Sequence, residues 1–285
     1  VKKLIEAGTR AALVALGLSF AGAAAMAEGS GLRMLSTADD AREWAAVGRL
    51  NVGRNAFCTG ALITESHVLT AAHCLFSRRT GRQYAAERIV FQAGWRNGRA
   101  SATRKARRYI IHDGYEFEGE DKLRRVATDM AIVELERPIR DSAIVPFERD
   151  ARPRTGDEVM VVSYAAGRED APSLQEGCGL LDQRGDVLIY SCEVTFGASG
   201  SPVFVLSEQG PKIASVMSAM AQWREKDVSL AASLGGQLDA LLEQLASSDP
   251  VFRTQTVEDA AGRASLSHQL GRRGGGGGTL PQISR

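Results

Sequence analysis

Ser199 sits in Gly197-Ala198-Ser199-Gly200-Ser201-Pro202, between small residues and just ahead of the apolar Val203-Phe204. Glycine on both sides lets the backbone turn tightly and lets a substrate come close. A nucleophilic serine needs that setting: a hydroxyl on a sharp turn, with amide N–H groups free to face a developing oxyanion. The same residues also suit an ordinary turn before a strand. Catalysis therefore depends on whether the chain supplies a base and an orienting acid.

Four histidines are available, His67, His73, His112 and His268, and the last lies in a glycine-rich end. His73 closes the apolar run Val68-Leu69-Thr70-Ala71-Ala72-His73-Cys74. Asp129 precedes another apolar run, Met130-Ala131-Ile132-Val133, where a buried carboxylate can hold an imidazole's tautomer. The order His73, Asp129, Ser199 rules out the Ser…Asp/Glu…His order of an α/β-hydrolase, because only His268 follows Ser199. Cys58, Cys74, Cys178 and Cys192 are the four cysteines, and four cysteines allow three disulfide connectivities. No Cys-x-x-Cys spacing occurs, so a zinc site built from these cysteines and His73 is not expected.

The elements that must position these residues read as strands. Short alternating or apolar runs, bounded by Gly, Asn, Asp, Pro and Arg, predict strands at 48–52, 57–63, 68–71, 89–93, 101–111 and 130–135. A polar stretch over 137–154, with Pro138, Pro146 and Pro153, reads as a linker. A second set follows at 158–164, 173–181, 187–191, 202–206, 212–219 and 229–232. Six and six strands predict an all-β protein of two antiparallel barrels or sandwiches. Leu238, Leu241, Leu242 and Leu245 recur at helical spacing, which adds a C-terminal helix over 237–245, expected to pack on the second half.

Taken together, Thr70-Ala71-Ala72-His73-Cys74, Asp129-Met130-Ala131-Ile132-Val133 and Gly197-Ala198-Ser199-Gly200-Ser201-Pro202 resemble the trypsin/chymotrypsin superfamily of serine proteases. Within it they are most similar to the bacterial trypsin-like and glutamyl-endopeptidase-like branch, which favours Ser-Gly-Ser-Pro. The resemblance covers residues 45–246, with barrel one about 45–136 and barrel two about 155–246. It implies a chymotrypsin-like fold, all-β with two six-stranded antiparallel β-barrels and a C-terminal helix, and a serine endopeptidase. Ser199 would be the nucleophile, His73 the general base and acid, and Asp129 the group that orients His73. The amides of Gly197 and Ser199 would form the oxyanion hole.

The resemblance also pairs Cys58 with Cys74 and Cys178 with Cys192. The first bridge closes a loop worth about 3 kcal/mol in the chain-entropy model. No cofactor or metal is implied. Glu193, six residues before Ser199, stands where trypsins carry the acid of the primary pocket, and Ser218 and Ala219 would form an open pocket wall. Glutamyl endopeptidases carry a histidine in the strand matching 214–219, and this chain has Ser215-Val216-Met217-Ser218 instead. Ala198 replaces the acid that in animal trypsins pairs with a freed N-terminus. The Cys178–Cys192 bridge is the expected substitute for holding Gly197. A catalytically silent homologue acting as a binding or adhesion module is the competing reading, and it usually lacks a triad member.

Lys2, Lys3 and Arg10 followed by an apolar run and Ala25-Met26-Ala27 read as a signal peptide over 1–27. Residues 28–44 read as an N-terminal arm or short propeptide. From 247 to 285 periodicity is lost and Gly274–Gly278 follow, the composition of a disordered tail. The net charge of +1 becomes −1 once residues 1–27 are removed, which gives no global field for nucleic acid. The chain is therefore expected to be a secreted or periplasmic bacterial monomer. It would act on proteins or peptides, with no nucleic-acid partner and no stable membrane insertion.

Overall fold

The computed structural model describes residues 32–149 and 152–248. The expected signal peptide and nearly all of the expected tail lie outside the described residues. Strand β1 (Leu32–Met34) and a single helical turn α1 (Ala38–Ala41) lead into the first barrel. That barrel comprises β2 (Val47–Val52), β3 (Ala56–Leu62), β4 (His67–Thr70), β5 (Ile89–Ala93), β6 (Ala102–Ile111) and, after the short helix α2 (Lys122–Ala127), β7 (Ala131–Leu135). Neighbours run β2-β3-β4-β7-β6-β5 and close on β2. Alternation is visible in β5, where Ile89, Phe91 and Ala93 point inward and are fully buried.

The crossing segment carries β8 (Glu148–Arg149), which the sequence pattern reads only as linker. The second set comprises β9 (Glu158–Ala165), β10 (Arg168–Arg184), β11 (Val187–Tyr190), β12 (Pro202–Ser207), β13 (Gly210–Trp223) and β14 (Lys226–Ser233). Its path runs β10-β11-β14-β13-β12-β9, and pairing of β9 with β10 joins the two ends, so six strands close here as well. β1 adds antiparallel to β10, with Leu32 opposite Gln175, and β8 runs parallel beside β13. Two six-stranded antiparallel barrels are thus the architecture, which is the one the family resemblance implies and one of the two that the strand pattern allows.

Two strands are longer than expected. β10 begins at Arg168 because register shifts after Arg168 and after Gln175 carry it through residues with no clean alternation. β13 continues to Trp223 because the hairpin tip places Arg224 and Glu225 at φ of 50° and 64°. Such tips usually carry Asn or Gly, so this one gives no sequence signal.

The core is continuous across the seam between the barrels. Trp44, ahead of β2, packs 5.1 Å from Phe204 of β12, and Phe147 of the crossing segment lies 4.6 Å from the same ring. The C-terminal helix α3 (Gly235–Ser247) buries Leu238, Leu241 and Leu245, each worth about 1.5–3 kcal/mol. It does not pack on the second half alone. Its far end reaches β6 and β7 of the first barrel, where Arg108 donates to the Leu245 carbonyl and to Ser248 Oγ. A basic side chain at the last turn of a helix satisfies carbonyls that have no partner within it.

Candidate active site

Register brings His73 and Asp129 together. β4 and β7 are antiparallel with Thr70 opposite Ala131, so the chain just past Thr70 runs beside the chain just before Ala131. Ala71 and Ala72 are fully buried and small, and the backbone folds there into a short 3-10 turn, Ala72–Leu75. His73 Nδ1 then lies 2.6 Å from Asp129 Oδ2, while the His73 amide donates to Asp129 Oδ1 at 2.8 Å. Ser218 Oγ of β13 donates to the same Oδ2. Asp129 is 3% exposed. A carboxylate in this position only accepts, so the ring proton belongs on Nδ1 and Nε2 keeps its lone pair.

The end of β4 is also fastened covalently. Cys74 is disulfide-bonded to Cys58 of β3, and Cys178 to Cys192 in the second barrel, the pairing implied by the resemblance. Cys58, His73 and Cys74 lie within 4.8 Å of one another, but the two sulfurs are joined to each other and offer no thiolate to a metal.

Ser199 occupies the turn between β11 and β12. Gly197 and Gly200 take φ of +96° and +78°, a region open to glycine at little cost. A Cβ on Gly200 would collide with the Thr70 hydroxyl and the Thr59 carbonyl, both on the first barrel. The turn's own barrel holds it through Gly200 N–H to Met217 O at 2.8 Å and Ala166 N–H to Phe196 O at 2.6 Å. Residues on either side of Ser199 are held from across the seam. Thr59 N–H donates to Ser199 O at 2.9 Å, and Thr59 Oγ1 donates to Gly197 O at 3.0 Å. The same hydroxyl accepts from Tyr164 N–H at 2.9 Å. Thr59 is completely buried. The expected role of the Cys178–Cys192 bridge in holding Gly197 therefore falls to Thr59, since the direct hydrogen bonds come from that side chain.

His73, Asp129, Ser199, Ser218 and Ala219 line one cavity of about 360 Å³, together with Tyr115, Phe117 and Met217. Among the described residues no hydrogen bond joins Ser199 Oγ to His73 Nε2, and such contacts often tighten only when substrate binds. Tyr115 is pushed well above the ordinary phenol range by burial and then by the charge of Asp129, so it stays a neutral donor. Glu193 is not brought to this cavity. Its side chain is exposed, its amide donates to Gln175 Oε1 at 2.8 Å, and its charge acts on Arg168. Ser218 is brought there, but its hydroxyl is committed to Asp129 as well as lining the wall. Thr59 escapes sequence reasoning entirely; its one signal is a threonine between a cysteine and Gly60 in a strand of small residues.

Residues 58–210 match the pattern of the trypsin-like peptidase domain. Trypsin from Sarcophaga bullata is 29% identical over 119 residues, covering 40% of this chain and 41% of that protein. Serine protease 23 from Mus musculus is 27% identical over 174 residues, covering 54% and 44%. The chain thus spans less than half the length of these curated relatives. A glutamyl endopeptidase structure superposes with a TM-score of 0.63 at 15% identity, over 78% of this chain and 99% of its own. A thermostable serine protease, AL20, from an extremophilic microorganism gives 0.58 at 16% identity, over 72% and 98%. Both show the same fold. With more than half its length matched, the chain belongs to the trypsin-like peptidase domain family.

Proposed function

We propose that this protein is an exported serine endopeptidase working through Ser199, His73 and Asp129. The observation that carries the reading is the pair of hydrogen bonds from the His73 amide and Nδ1 to the two oxygens of Asp129, which leaves Nε2 free beside a cavity that Ser199 also lines. As Ser199 Oγ attacks the scissile carbonyl carbon, its proton passes to His73 Nε2 and the carbonyl π pair moves onto oxygen. The amides of Gly197 and Ser199 have no acceptor among the described residues, so both are available to that oxyanion. Losing one such donor typically costs about 2.7–4 kcal/mol of barrier. Collapse breaks the C–N bond, and the Nε2 proton goes to the departing amine. Water, deprotonated by the same nitrogen, then releases the acyl group from Ser199.

Two disulfides fit an oxidising compartment. Among the described residues no helix is long and apolar enough to cross a membrane. Together with residues 1–27 as a signal, the disulfides support export; a bacterial periplasm or the medium as its destination, and a monomer acting on peptide substrates, are part of the same proposal. The position of Glu193 outside the cavity argues against a trypsin-like preference for Lys or Arg through that residue.

The test is reaction of the purified protein with a serine-directed fluorophosphonate, beside Ser199→Ala. Wild type is expected to be labelled and to cleave denatured casein. The variant is expected to lose about 10⁶ in kcat, as removal of the nucleophile does in subtilisin. Equal absence of labelling and cleavage in both proteins would return the chain to the silent-homologue reading.

A further inference from the structure

The substrate cleft continues past Ser199 into a second, larger cavity of about 1000 Å³ that also borders His73, Gly197 and the Cys58–Cys74 bridge. Arg54, Arg78, Arg79, Arg82 and Arg88 line it, and no Asp or Glu does. All five are exposed, and none is ion-paired among the described residues. Arg78 lies over the exposed Phe196 ring at 5.4 Å and borders both cavities, and Arg88 lies over Tyr84 at 5.6 Å. The nearest acids, Glu87 beside Arg88 and Glu118 beside Gly81, stay outside the lining. Five like charges lining one cavity repel each other in the free protein. An anionic ligand relieves that repulsion.

The imidazole settles which part of a substrate lies there. Nδ1 faces Asp129, so Nε2 is the atom that hands a proton to the leaving amine. Nε2 lies 3.9 Å from Cys74 Sγ, a wall of the arginine cavity. The segment that departs with the amine therefore runs over the arginines, while the segment left on Ser199 runs past Ser218, Ala219 and Met220.

We propose that the arginine-lined half of the cleft selects peptides rich in Asp and Glu on the C-terminal side of the scissile bond. This rests on the catalytic reading above for its direction, but the binding surface itself is separable from catalysis. A nucleic acid offers the same charge. The peptide is favoured because this cavity opens on the residues that attack a carbonyl and protonate an amine.

The experiment uses Ser199→Ala full-length protein and the fluorescence anisotropy of short tagged peptides, one carrying four Glu and one the four matching Gln. The Glu peptide is expected to bind about tenfold tighter at low salt, the combined effect of two or three exposed charge pairs. That advantage should fade at about 0.5 M salt, where the Debye length is only a few ångströms. Arg79→Glu with Arg82→Glu is expected to abolish it, whereas Arg152→Glu with Arg154→Glu, an equal charge change outside both cavities, keeps it. Equal binding of the two peptides, or an advantage indifferent to the double variant, overturns the proposal. Tighter binding of an oligothymidylate of the same charge assigns the groove to nucleic acid and overturns it too. Active protein is then given a peptide library, and acids are expected to be enriched after the cut. Enrichment before the cut refutes the assigned direction. A retained Glu preference in binding with no cleavage at all would instead sink the endopeptidase reading.

Discussion

The first barrel joins His73 to Asp129 by two bonds of its own, with one further bond to Asp129 from Ser218 of the second barrel, whereas the turn that presents Ser199 takes part of its shape from the opposite barrel. In the first case strand register and one disulfide set the approach: Thr70 faces Ala131, and Cys74 is bridged to Cys58. In the second, Gly197 O and Ser199 O are both held by Thr59 of β3. The proposed base and acid are thus joined mainly within one barrel, and the proposed nucleophile sits on a turn shared across the seam. A pair joined by two bonds inside one barrel is held together even where a small shift between the barrels strains the bond from Ser218. A turn hung across the seam is not, and the aromatic contacts among Trp44, Phe147 and Phe204 make that seam part of a continuous core.

The sharpest break is Asp129→Asn. It keeps the shape of the pair but allows the amide to donate, which favours the wrong imidazole tautomer. Activity on peptide substrates is expected to fall by about 10⁴, the loss seen in the trypsin template. The thermal transition should move far less than activity does. A fall of less than about tenfold would mean that Asp129 orients nothing of catalytic consequence.

Thr59→Val attacks the other side of the comparison. The shape is nearly kept, but half-buried Gly197 O loses its donor and the buried Tyr164 N–H its acceptor, the latter at about 1–3 kcal/mol if left unpaired. With the turn loosened, kcat is expected to drop about 10- to 100-fold, the kinetic equivalent of one such group, while KM changes little. Thr59→Ser, which keeps the hydroxyl, should recover most of it. Loss of stability with unchanged kcat in the folded fraction would leave Thr59 a packing residue and move control of the turn back into the second barrel.

The same division explains what the sequence makes legible. Twelve strands can be read because alternation of apolar residues is a local property, and His73, Asp129 and Ser199 stand out as candidates because each sits at a strand end or glycine turn within a motif that resembles the superfamily. Thr59 is invisible because its function lies with partners more than a hundred residues away, and a buried threonine in a strand has no pattern of its own. Ser218 is legible only as a small wall residue, since nothing local connects it with Asp129. α2 is short and carries no apolar stripe; its capping residue, Asp121, accepts from the Arg124 amide within a charge-rich stretch that reads as a loop. The docking of α3 depends on Arg108, a residue in the basic run of β6 that looks like a solvated face until its partners are known.

The smallest expected effect concerns His67, which asks whether the first barrel's rigidity has a pH limit. His67 begins β4, opposite Glu134, with its Nδ1 2.8 Å from Thr64 Oγ1. Burial pushes its pKa below the ordinary histidine value, against the pull of Glu134 and with help from Arg108. The unfolded chain therefore binds a proton more readily than the folded one. Its contribution is unaffected above the unfolded pKa of about 6.5 and is eroded as pH falls from there toward the lowered folded value. Urea unfolding of wild type and His67→Gln at pH 7 and pH 5 checks the sign, with the variant expected to lose less stability on acidification. Equal losses would place the acid sensitivity outside β4, and the strand that leads into the His73 turn would then be the steadier half of the site at low pH as well.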